Sequence, residues 1–384
     1  MNDKDLVVCT LEEARGRVGA TGEARGRAGT SGEAREGAGT SGEPREDAGK
    51  SGPAPALAQC LRERGAFAVL IVGAREGLDW LDTPEARGWL AGPALAAPAV
   101  AAAMRHAISQ GFVAADAAIV AKMPTPFSLP LLSWDEAVPP SPPGGGQGWG
   151  HAGPSTPPRR LDLYAIVDSA ARLRQVLAAG IRTVQLRIKT PASPDPAWHA
   201  MLREQVRQAV EASAAAGAEL FVNDHWQVAY ELGASGVHLG QEDLLALGET
   251  GRARLLATGM ALGVSSHSLW ELARARTLSP RYIACGPVWP TVTKDMPWLP
   301  QGMDNLAWWC RAAQAPVTAI GGILEPGQVQ QAACTGVDGV CIVRGLGDDP
   351  RATLPAFEAA LQAGRAQPAF EAPQWPHPTL PAAG

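Results

Sequence analysis

The sequence contains 384 residues, which is long enough for two domains or for one domain with long extensions. Its formal net charge is −5, so no global positive field predicts nucleic-acid binding. The apolar run at residues 93–104 contains Pro98 and is shorter than the ~20 residues that a membrane helix needs. The N-terminus has no basic region followed by an apolar core. We therefore expect no nucleic-acid partner, no signal peptide and no membrane segment.

The chain has six cysteines, none of them in a CxxC or another metal-type spacing. Several lie in apolar runs, which is typical of reduced and buried thiols. Disulfides persist in oxidising compartments and are rare in the cytosol. The cysteine pattern therefore predicts a cytoplasmic protein.

Residues 13–52 repeat a ten-residue unit, from EARGRVGATG to EPREDAGKSG. The unit is rich in Gly, Ala, Ser and alternating charges, and Val18 is the one aliphatic side chain larger than alanine. Such a segment cannot bury enough apolar surface to offset the entropy of ordering the chain. We therefore predict that residues 1–55 are disordered, either as an expansion without function or as a tether for a partner.

Three further segments differ in composition from their neighbours. Residues 56–123 contain the strand pattern FAVLIVG and an Ala-rich helical region, which predict a small α/β segment. Residues 124–160 are rich in Pro and Gly and predict a linker. Residues 366–384 are again rich in proline and predict a flexible tail.

From residue 161 onward, short apolar runs alternate with amphipathic helical patterns. Eight runs have the length and composition of strands: LDLYAIVD, TVQLRIK, ELFVND, GVHLG, ALGVSS, YIACGPV, PVTAIGGI and GVCIVRG. Near-continuous apolar strands that alternate with helices indicate a parallel sheet. Eight such units favour an α/β fold, a closed (β/α)8 TIM barrel over residues 161–365, with a doubly wound open sheet as the alternative. In a barrel, the active site lies at the carboxyl ends of the strands.

The second strand pattern, TVQLRIK, alternates apolar and polar side chains. Its polar set, Gln185, Arg187 and Lys189, is predicted to point into the barrel and toward its mouth. Two cations inside a barrel are costly unless an anion or a carboxylate meets them. The pattern therefore predicts either an anion site or ion pairs with internal acids.

Oxygen-bearing side chains follow the next two strands. Asn223 and Asp224 end ELFVND, and Asp243 follows His238 by five residues in HLGQED. Mg²⁺ binds one or two carboxylates and leaves positions for phosphate oxygens. The pattern predicts a Mg²⁺ site, and a helix N-cap is the alternative role for either aspartate.

Three loops at later strand ends carry features of phosphate sites. Gly321–Gly322 follows strand seven and Val343–Arg344 follows strand eight, where backbone N–H groups often hold a phosphate. The loop GPVWPTVTKD after strand six adds two hydroxyls and an ammonium, those of Thr291, Thr293 and Lys294. We interpret it as an anion-binding loop over the same mouth, with a solvated connection as the alternative.

Together these motifs resemble the thiamine phosphate synthase family. The resemblance is carried by YAIVD, QLRIK, VND, GVHLGQED, GVSSHS, GPVWPTVTK, AIGGI and GVCIVRG, in order over residues 160–350. It implies a transferase of thiamine biosynthesis that joins 4-amino-2-methyl-5-pyrimidinylmethyl diphosphate to a thiazole phosphate, with Mg²⁺ as cofactor and diphosphate as the second product. The implied partners are these small molecules, and a homo-oligomer is compatible with the resemblance.

The resemblance also implies roles for individual residues. On the pyrimidine diphosphate side it implies Gln185, Arg187, Lys189, Asn223, Ser265 and Lys294, with Arg187, Lys189 and Lys294 as the catalytic cations. On the thiazole phosphate side it implies Thr291, Thr293, Gly322, Val343 and Arg344. Asp224 and Asp243 match the metal ligands. The chain departs from the family at Arg344, where serine is usual, and at Ile188, where glutamate is usual.

Two other functions are compatible with the same barrel. A thiazole tautomerase does not need the cations that bind a diphosphate, so Arg187, Lys189 and Lys294 together favour the synthase. A non-catalytic regulator that binds thiamine precursors does not need metal ligands, so Asp224 and Asp243 favour an enzyme.

Residues 56–123 more weakly resemble the C-terminal part of hydroxymethylpyrimidine phosphate kinase. The resemblance rests on GLDWLDTPEARGWL and GFVAADAAIVAKM. The Gly-Thr-Gly-Cys motif expected between these stretches is absent. The resemblance therefore implies a truncated fragment without kinase activity.

Overall fold

A computed structural model describes residues 6–19, 53–136, 159–291 and 297–381. The chain divides into two compact units. The N-terminal unit comprises residues 1–124 and 130–142, and the barrel unit comprises residues 125–129 and 143–384.

The described part of the N-terminal unit is a mixed sheet with helices. Its elements are β1 (Leu6–Thr10), α1 (Leu11–Gly19), α2 (Pro53–Glu63), β2 (Ala68–Arg75), β3 (Leu78–Asp82), β4 (Arg87–Ala91), α3 (Ala97–Ser109), α4 (Ala114–Ala121) and β5 (Leu131–Leu132). The strands lie in the order β1-β2-β3-β4-β5. β1 is parallel to β2, and the other neighbours are antiparallel.

The prediction that residues 1–55 are disordered is wrong for residues 6–19 and for residues 53–55, where α2 begins. β1 pairs with β2, and its Cys9 side chain is fully buried. α1 begins with a reciprocal cap, because the Thr10 N–H donates to Glu13 Oε2 at 2.8 Å and the Glu13 N–H donates to Thr10 Oγ1 at 3.3 Å. The sequence TLEE, residues 10–13, carries this capping signal at the point where the repeat begins. Residues 20–52 of the repeat lie outside the described residues.

The predicted linker also begins too early. β5 pairs with β4, and the Ser133 hydroxyl accepts the Trp89 N–H at 2.8 Å. A Cβ on Gly88 would lie 2.8 Å from the Ser133 carbonyl oxygen, so glycine permits this close approach. Residues 131–136 therefore belong to the N-terminal unit, and residues 137–158 lie outside the described residues.

A lysine and an aspartate form an ion pair inside the N-terminal unit. Lys122 Nζ lies 2.7 Å from Asp79 Oδ2, and the two side chains are 1% and 5% exposed. Lys122 Nζ also donates to the Pro93 carbonyl at 2.5 Å, while Asp79 Oδ1 accepts the Gly73 N–H at 2.9 Å. The pair is therefore neutralised and hydrogen-bonded within its own unit.

The barrel unit alternates strands and helices. Its strands are β6 (Asp162–Val167), β7 (Thr183–Leu186), β8 (Glu219–Asn223), β9 (Gly236–Leu239), β10 (Ala261–Ser266), β11 (Tyr282–Cys285), β12 (Val317–Ala319) and β13 (Gly339–Ile342). Its helices are α5 (Ala170–Ala179), α6 (Pro196–Ala216), α7 (Trp226–Leu232), α8 (Gln241–Ala246), α9 (Gly248–Ala257), α10 (Leu269–Ala275), the 3₁₀ helix Arg276–Leu278, α11 (Gly302–Ala312), α12 (Pro326–Cys334) and α13 (Pro350–Ala366). Among the described residues, no helix has the length and hydropathy to cross a membrane.

The eight strands of the barrel unit close on themselves in the order β10-β11-β12-β13-β6-β7-β8-β9, and every neighbouring pair is parallel. The prediction of a closed parallel barrel is confirmed, and the open sheet is excluded. Side-chain caps start several helices, as at Ser169, whose side chain accepts the Arg172 N–H, and Asp195, whose side chain accepts the Trp198 N–H.

The predicted flexible tail is wrong for residues 367–381, because this segment bonds to the barrel unit. The Thr379 carbonyl accepts the Leu299 N–H at 2.8 Å. The buried Asn305 side chain accepts the His377 N–H at 2.8 Å and donates to the His377 carbonyl at 3.0 Å. Trp308 Nε1 donates to the Gln374 carbonyl at 3.3 Å. The Pro-rich composition is consistent with the lack of helix and strand in residues 367–381, but it does not predict their packing against the barrel unit.

Candidate active site

The end of β7 places three predicted residues at the mouth of the barrel. The strand ends at Leu186, earlier than the alternating pattern predicts. Gln185 is buried, and its Nε2 donates to the Tyr164 hydroxyl at 3.0 Å inside the barrel. Arg187 is half-buried and Lys189 is exposed. The inward direction predicted for the polar face therefore holds at Gln185, and the two cations lie at the rim.

Neither rim cation has a carboxylate partner in the part of the chain that the structure describes. Arg187 and Lys189 take part in no ion pair there, whereas Arg281, at the amino ends of the strands, lies 3.1 Å from Glu219. Pairing with internal acids is therefore not how these described residues compensate the two charges. The positive charges of Arg187 and Lys189 are therefore available to bind an anion.

The end of β8 has an unusual backbone. Asn223 is buried, and Asp224 follows it with a left-handed backbone, φ 65°, and an exposed side chain. Non-glycine residues rarely adopt this conformation, and it is often retained at functional sites. The Asp224 N–H donates to the His238 carbonyl at 3.1 Å, and the Asp224 carbonyl accepts the Trp226 N–H at 2.9 Å. These two hydrogen bonds, one with His238 and one with Trp226, therefore fix the backbone of Asp224.

The second predicted metal ligand lies at the next strand exit. Asp243 is exposed in the first turn of α8, and its Oδ2 accepts the Gly240 N–H at 3.1 Å. This bond is the capping role that the sequence left as an alternative. The Oδ1 atom accepts no hydrogen bond from the described residues and remains available to a cation.

The chemistry of this donor set fits Mg²⁺. Asp224 and Asp243 supply hard carboxylate oxygens at the exits of β8 and β9, which are paired neighbours. The described residues contain no group of three or more His, Cys, Asp or Glu side chains that could hold an ion. A cation here would therefore take much of its coordination from a bound phosphate and water, as Mg²⁺ commonly does.

The loop after β11 is fastened to the exit of β12. The Val288 N–H donates to the Ile320 carbonyl at 2.9 Å, and the Trp289 N–H donates to the Gly321 carbonyl at 3.1 Å. Gly322 has φ 74°, and a Cβ on it would lie 2.6 Å from Trp289 Cβ, so this position requires glycine. The first half of the loop is therefore built into the mouth rather than solvated.

The remaining loop residues are only partly described. Thr291 directly follows this fastened half and is half-buried. Thr293 and Lys294 lie outside the described residues, so their predicted roles stay predictions. Trp298, where the described chain has resumed, stacks on His267 with ring centroids 5.1 Å apart.

The exits of β12 and β13 lie side by side. Val343–Arg344 is exposed, and a Cβ on the next residue, Gly345, would lie 3.0 Å from the Leu324 carbonyl oxygen. Gln328, which the sequence analysis does not predict, donates from Nε2 to the Gly322 carbonyl at 2.9 Å. Its signal was the capping pattern E-P-G-Q at the start of α12. The geometry brings the predicted phosphate-loop residues Gly322, Val343 and Arg344 to one part of the mouth.

A chain of hydrogen bonds runs through the barrel interior below the mouth. The Tyr164 and Tyr282 hydroxyls are 2.8 Å apart. The Tyr282 hydroxyl is 2.8 Å from His238 Nδ1, and His238 Nε2 is 2.9 Å from Ser265 Oγ. Gln185 joins this chain at Tyr164. Sequence reasoning found the two ends, Gln185 and Ser265, and missed the three residues that connect them.

Each titratable member of this chain is neutral near pH 7. Burial, followed by the charges of Arg187 and His267, lowers the pKa of His238 from 6.5 to about 4. Burial raises the pKa of Tyr164 and of Tyr282 well above 10. The imidazole therefore carries one proton, and both phenols keep theirs.

A buried glutamine supports the exit of β10. Gln241 Nε2 donates to the Ser265 carbonyl at 2.8 Å and to the Glu271 carbonyl at 3.3 Å. Glu271 in turn accepts the His267 N–H at 2.6 Å. These bonds fix the backbone that carries the Ser265 hydroxyl. The motif HLGQED contains Gln241, but the sequence pattern does not predict this supporting role.

Cationic, amide, hydroxyl and carboxylate groups thus converge at the carboxyl ends of a closed parallel barrel. This arrangement defines the class of (β/α)8 enzymes that act on phosphorylated small molecules.

A family model and several relatives agree on one family. A family model described as "Thiamine monophosphate synthase" matches residues 163–346. A thiamine-phosphate synthase of Rhizobium etli is 45% identical over 166 residues, which are 43% of this chain and 77% of that protein. One of Neisseria meningitidis is 40% identical over 202 residues, which are 52% of this chain and 94% of that protein. A thiamine phosphate pyrophosphorylase structure from Pyrococcus furiosus is 27% identical, with a TM-score of 0.46, and covers 53% of this chain and 96% of its own.

The chain belongs to the thiamine monophosphate synthase family, a family of transferases. The match falls within the barrel unit, and the N-terminal unit lies outside it.

Proposed function

We propose that the chain is a thiamine phosphate synthase. The names of its relatives indicate that it makes thiamine phosphate. The family resemblance implies that it does so by joining 4-amino-2-methyl-5-pyrimidinylmethyl diphosphate to a thiazole phosphate, with release of diphosphate. The observation that carries the proposal is the positive rim at Arg187 and Lys189, which has no carboxylate partner among the described residues. Such charges suit a diphosphate that enters from solvent.

The reaction requires no nucleophilic side chain. The bond between the pyrimidine methylene carbon and the diphosphate oxygen breaks, and its electron pair leaves with the diphosphate. The thiazole nitrogen then donates its lone pair to the methylene carbocation, which forms the new C–N bond and a thiazolium cation. Arg187, Lys189 and Lys294 stabilise the negative charge that develops on the departing diphosphate.

The two substrates occupy different parts of the mouth in this proposal. Gln185, Asn223 and Ser265 hold the pyrimidine, because they place amide and hydroxyl groups where β7, β8 and β10 end. The thiazole phosphate lies against Thr291, Thr293, Gly322, Val343 and Arg344. At Arg344 the exposed guanidinium can pair with phosphate, and the backbone N–H can donate to it whichever side chain the residue carries.

Asp224 and Asp243 would hold Mg²⁺. When bound, the ion supplies positive charge that the diphosphate oxygens need in order to leave. The left-handed turn at Asp224 and the capped start of α8 at Asp243 hold both carboxylates at the mouth before substrate binds.

The rest of the chain has a secondary role in the proposal. Residues 56–123 are a truncated fragment resembling hydroxymethylpyrimidine phosphate kinase, and they contribute no catalytic residue. The protein works in the cytoplasm on small-molecule substrates, and self-association is compatible with this activity.

Diphosphate release by the full-length chain tests the proposed reaction. With both substrates and Mg²⁺, we expect one diphosphate and one thiamine phosphate for each pyrimidine consumed. Isomerisation of the thiazole without the pyrimidine substrate would contradict the proposal and indicate a tautomerase. Binding of both substrates without turnover would indicate a regulator.

Metal binding has a separate test that does not depend on turnover. Calorimetric titration of Mg²⁺ in the presence of inorganic diphosphate should show binding to the native chain and weaker binding to Asp224→Ala. Glu242→Ala is the matched control, because Glu242 is an exposed carboxylate beside Asp243 in the same helical turn. Equal binding by all three proteins would exclude Asp224 as a ligand.

A further inference from the structure

The hydrogen-bonded chain inside the barrel, called here the interior relay, consists of Gln185, Tyr164, Tyr282, His238 and Ser265. Its members come from β7, β6, β11, β9 and β10, so the relay crosses the barrel interior rather than following one strand. Its four links measure 3.0, 2.8, 2.8 and 2.9 Å, all within ordinary hydrogen-bond distance.

The links of the relay allow only one arrangement in which both phenol protons have an acceptor. Gln185 Nε2 donates to the Tyr164 hydroxyl, and either phenol can donate in the link between Tyr164 and Tyr282. In this arrangement Tyr164 donates to Tyr282, and Tyr282 donates to His238 Nδ1. With Nδ1 as acceptor, a neutral imidazole carries its proton on Nε2 and donates to Ser265 Oγ. Each phenol and the imidazole then accept one hydrogen bond and donate one.

The two ends of the relay have opposite hydrogen-bonding character. At one end, Gln185 Oε1 accepts no hydrogen bond from any described residue, although the side chain is only 2% exposed. At the other end, Ser265 Oγ accepts from His238, so its own hydroxyl proton is available. The relay therefore presents an acceptor at β7 and a donor at β10.

We propose that the interior relay sets the pattern that recognises the 4-aminopyrimidine ring, an inference that rests on the proposed function. Gln185 Oε1 accepts a hydrogen bond from the exocyclic amine, and the Ser265 hydroxyl donates to a ring nitrogen. Tyr164, Tyr282 and His238 are positioning residues that touch no substrate.

Packing holds the relay in one geometry. The His238 and Tyr282 rings stack with centroids 5.7 Å apart and an interplanar angle of 17°. Phe221 packs edge-on against Tyr282 at 5.1 Å. A Cβ on Gly263 would lie 2.3 Å from Tyr282 Cζ, so the absence of a side chain there makes room for the phenol. Rigid neighbours therefore keep the hydroxyl of Tyr282 between its two partners.

The relay gives a reason for discrimination between amino- and oxo-pyrimidines. A 4-oxo ring would place a carbonyl oxygen against Gln185 Oε1, and two acceptors without a proton between them repel. Rotating the Gln185 side-chain amide by 180° would remove this repulsion. The rotation requires donor and acceptor to be exchanged in every hydrogen bond of the relay, as far as Ser265. A site whose buried polar groups are fixed in this way rejects the mismatched ligand strongly.

Tyr282→Phe tests the proposal because it keeps the ring and removes only the central hydroxyl. We expect kcat/KM for the 4-amino substrate to fall about tenfold, mainly through KM, and the preference over the 4-oxo analogue to shrink about tenfold. Inhibition by inorganic diphosphate alone should not change. Phe221→Leu is the control, since it disturbs the same aromatic cluster but leaves every relay hydrogen bond. A preference in Tyr282→Phe within about twofold of the native value would overturn the proposal.

The tautomer of His238 provides a measurement that needs no variant to be active. In the full-length protein labelled with ¹⁵N-histidine, NMR should show His238 protonated on Nε2, and His238→Gln assigns the signal. A proton on Nδ1 would reverse the relay and overturn the proposal. Absence of diphosphate release by the native chain would instead contradict the proposed function, and the tautomer result would distinguish the two failures.

Discussion

Two cationic regions of this protein differ in what compensates their charge. In the N-terminal unit, Lys122 is buried and meets Asp79 at 2.7 Å. At the barrel mouth, Arg187 and Lys189 have no carboxylate partner among the described residues. A cation whose counter-charge comes from its own chain contributes to folding, and removal of its partner is strongly destabilising. A cation without that counter-charge, at the carboxyl end of a barrel, is available to a ligand.

The largest effect on stability should come from breaking the buried pair. Lys122→Ala leaves the Asp79 carboxylate buried without a counter-charge, which should lower the free energy of unfolding of the N-terminal unit by about 3–5 kcal/mol. Hydrogen exchange of the β2 and β3 amides measures this change. The double variant Lys122→Met with Asp79→Asn removes both charges and should recover most of the loss. Unchanged amide protection in Lys122→Ala would show that this ion pair does not stabilise the N-terminal unit, and the two cationic regions would then not differ in their contribution to folding.

The opposite result is expected at the barrel mouth. Arg187→Ala should lower kcat/KM by roughly 10²–10³, the scale for deleting one preorganised electrostatic contact, with little change in the melting temperature. The same scale is expected for kcat of Lys294→Ala. Arg203→Ala is the control, because Arg203 is exposed and pairs with Glu231 on the barrel surface. Steady-state kinetics of diphosphate release measures all three, and a loss of folding without loss of turnover in Arg187→Ala would assign that residue to structure.

Asn305 should behave like Lys122, because its partners are also built into the chain. Asn305→Ala removes the hydrogen bonds that the Asn305 side chain makes to the His377 backbone and to Gln301 Oε1. The free energy of unfolding of the barrel unit should fall by about 1–3 kcal/mol. Thermal melts monitor the loss, and proteolysis should begin in residues 367–381. A tail that resists protease equally in both proteins would show that this anchor is unimportant.

The smallest effect should come from removing the N-terminal unit. Every predicted site residue lies in the barrel unit, so a chain that starts at Pro157 should keep kcat/KM within about twofold of the full-length value. The comparison uses purified soluble proteins of equal melting behaviour. If the shortened protein folds but has low kcat/KM, the N-terminal unit contributes to catalysis.

The sequence predicted the barrel well because its signals are local. Alternation in TVQLRIK directed Gln185 inward, and apolar runs marked all eight strands. The strands are shorter than the sequence patterns that predicted them. In TVQLRIK, for example, the alternation continues through Arg187, but the hydrogen-bonded strand β7 ends at Leu186. The alternation in GVHLG also directed His238 inward, and this signal was not used.

Long-range pairings were beyond the sequence patterns. Nothing local in LVVCT indicates that it pairs with β2, more than fifty residues later. Nothing local in the Pro-rich tail indicates that the Thr379 carbonyl meets the Leu299 N–H. The same limit applies to the link between Tyr164 and Tyr282, which depends on how the barrel closes. Composition describes the average tendency of a segment, whereas these contacts depend on which distant backbone happens to be near.

The close approach of Gly263 to Tyr282 constrains the order in which substitutions can accumulate at these two positions. A methyl group at position 263 would overlap the phenol ring, with its carbon 2.3 Å from Cζ. Alanine can therefore appear at position 263 only after position 282 has lost its large ring, and the reverse order passes through a strained protein. Across a set of descendants, the two positions should change together and in that order. A reconstructed lineage in which residue 263 enlarges first would need a compensating movement of β11.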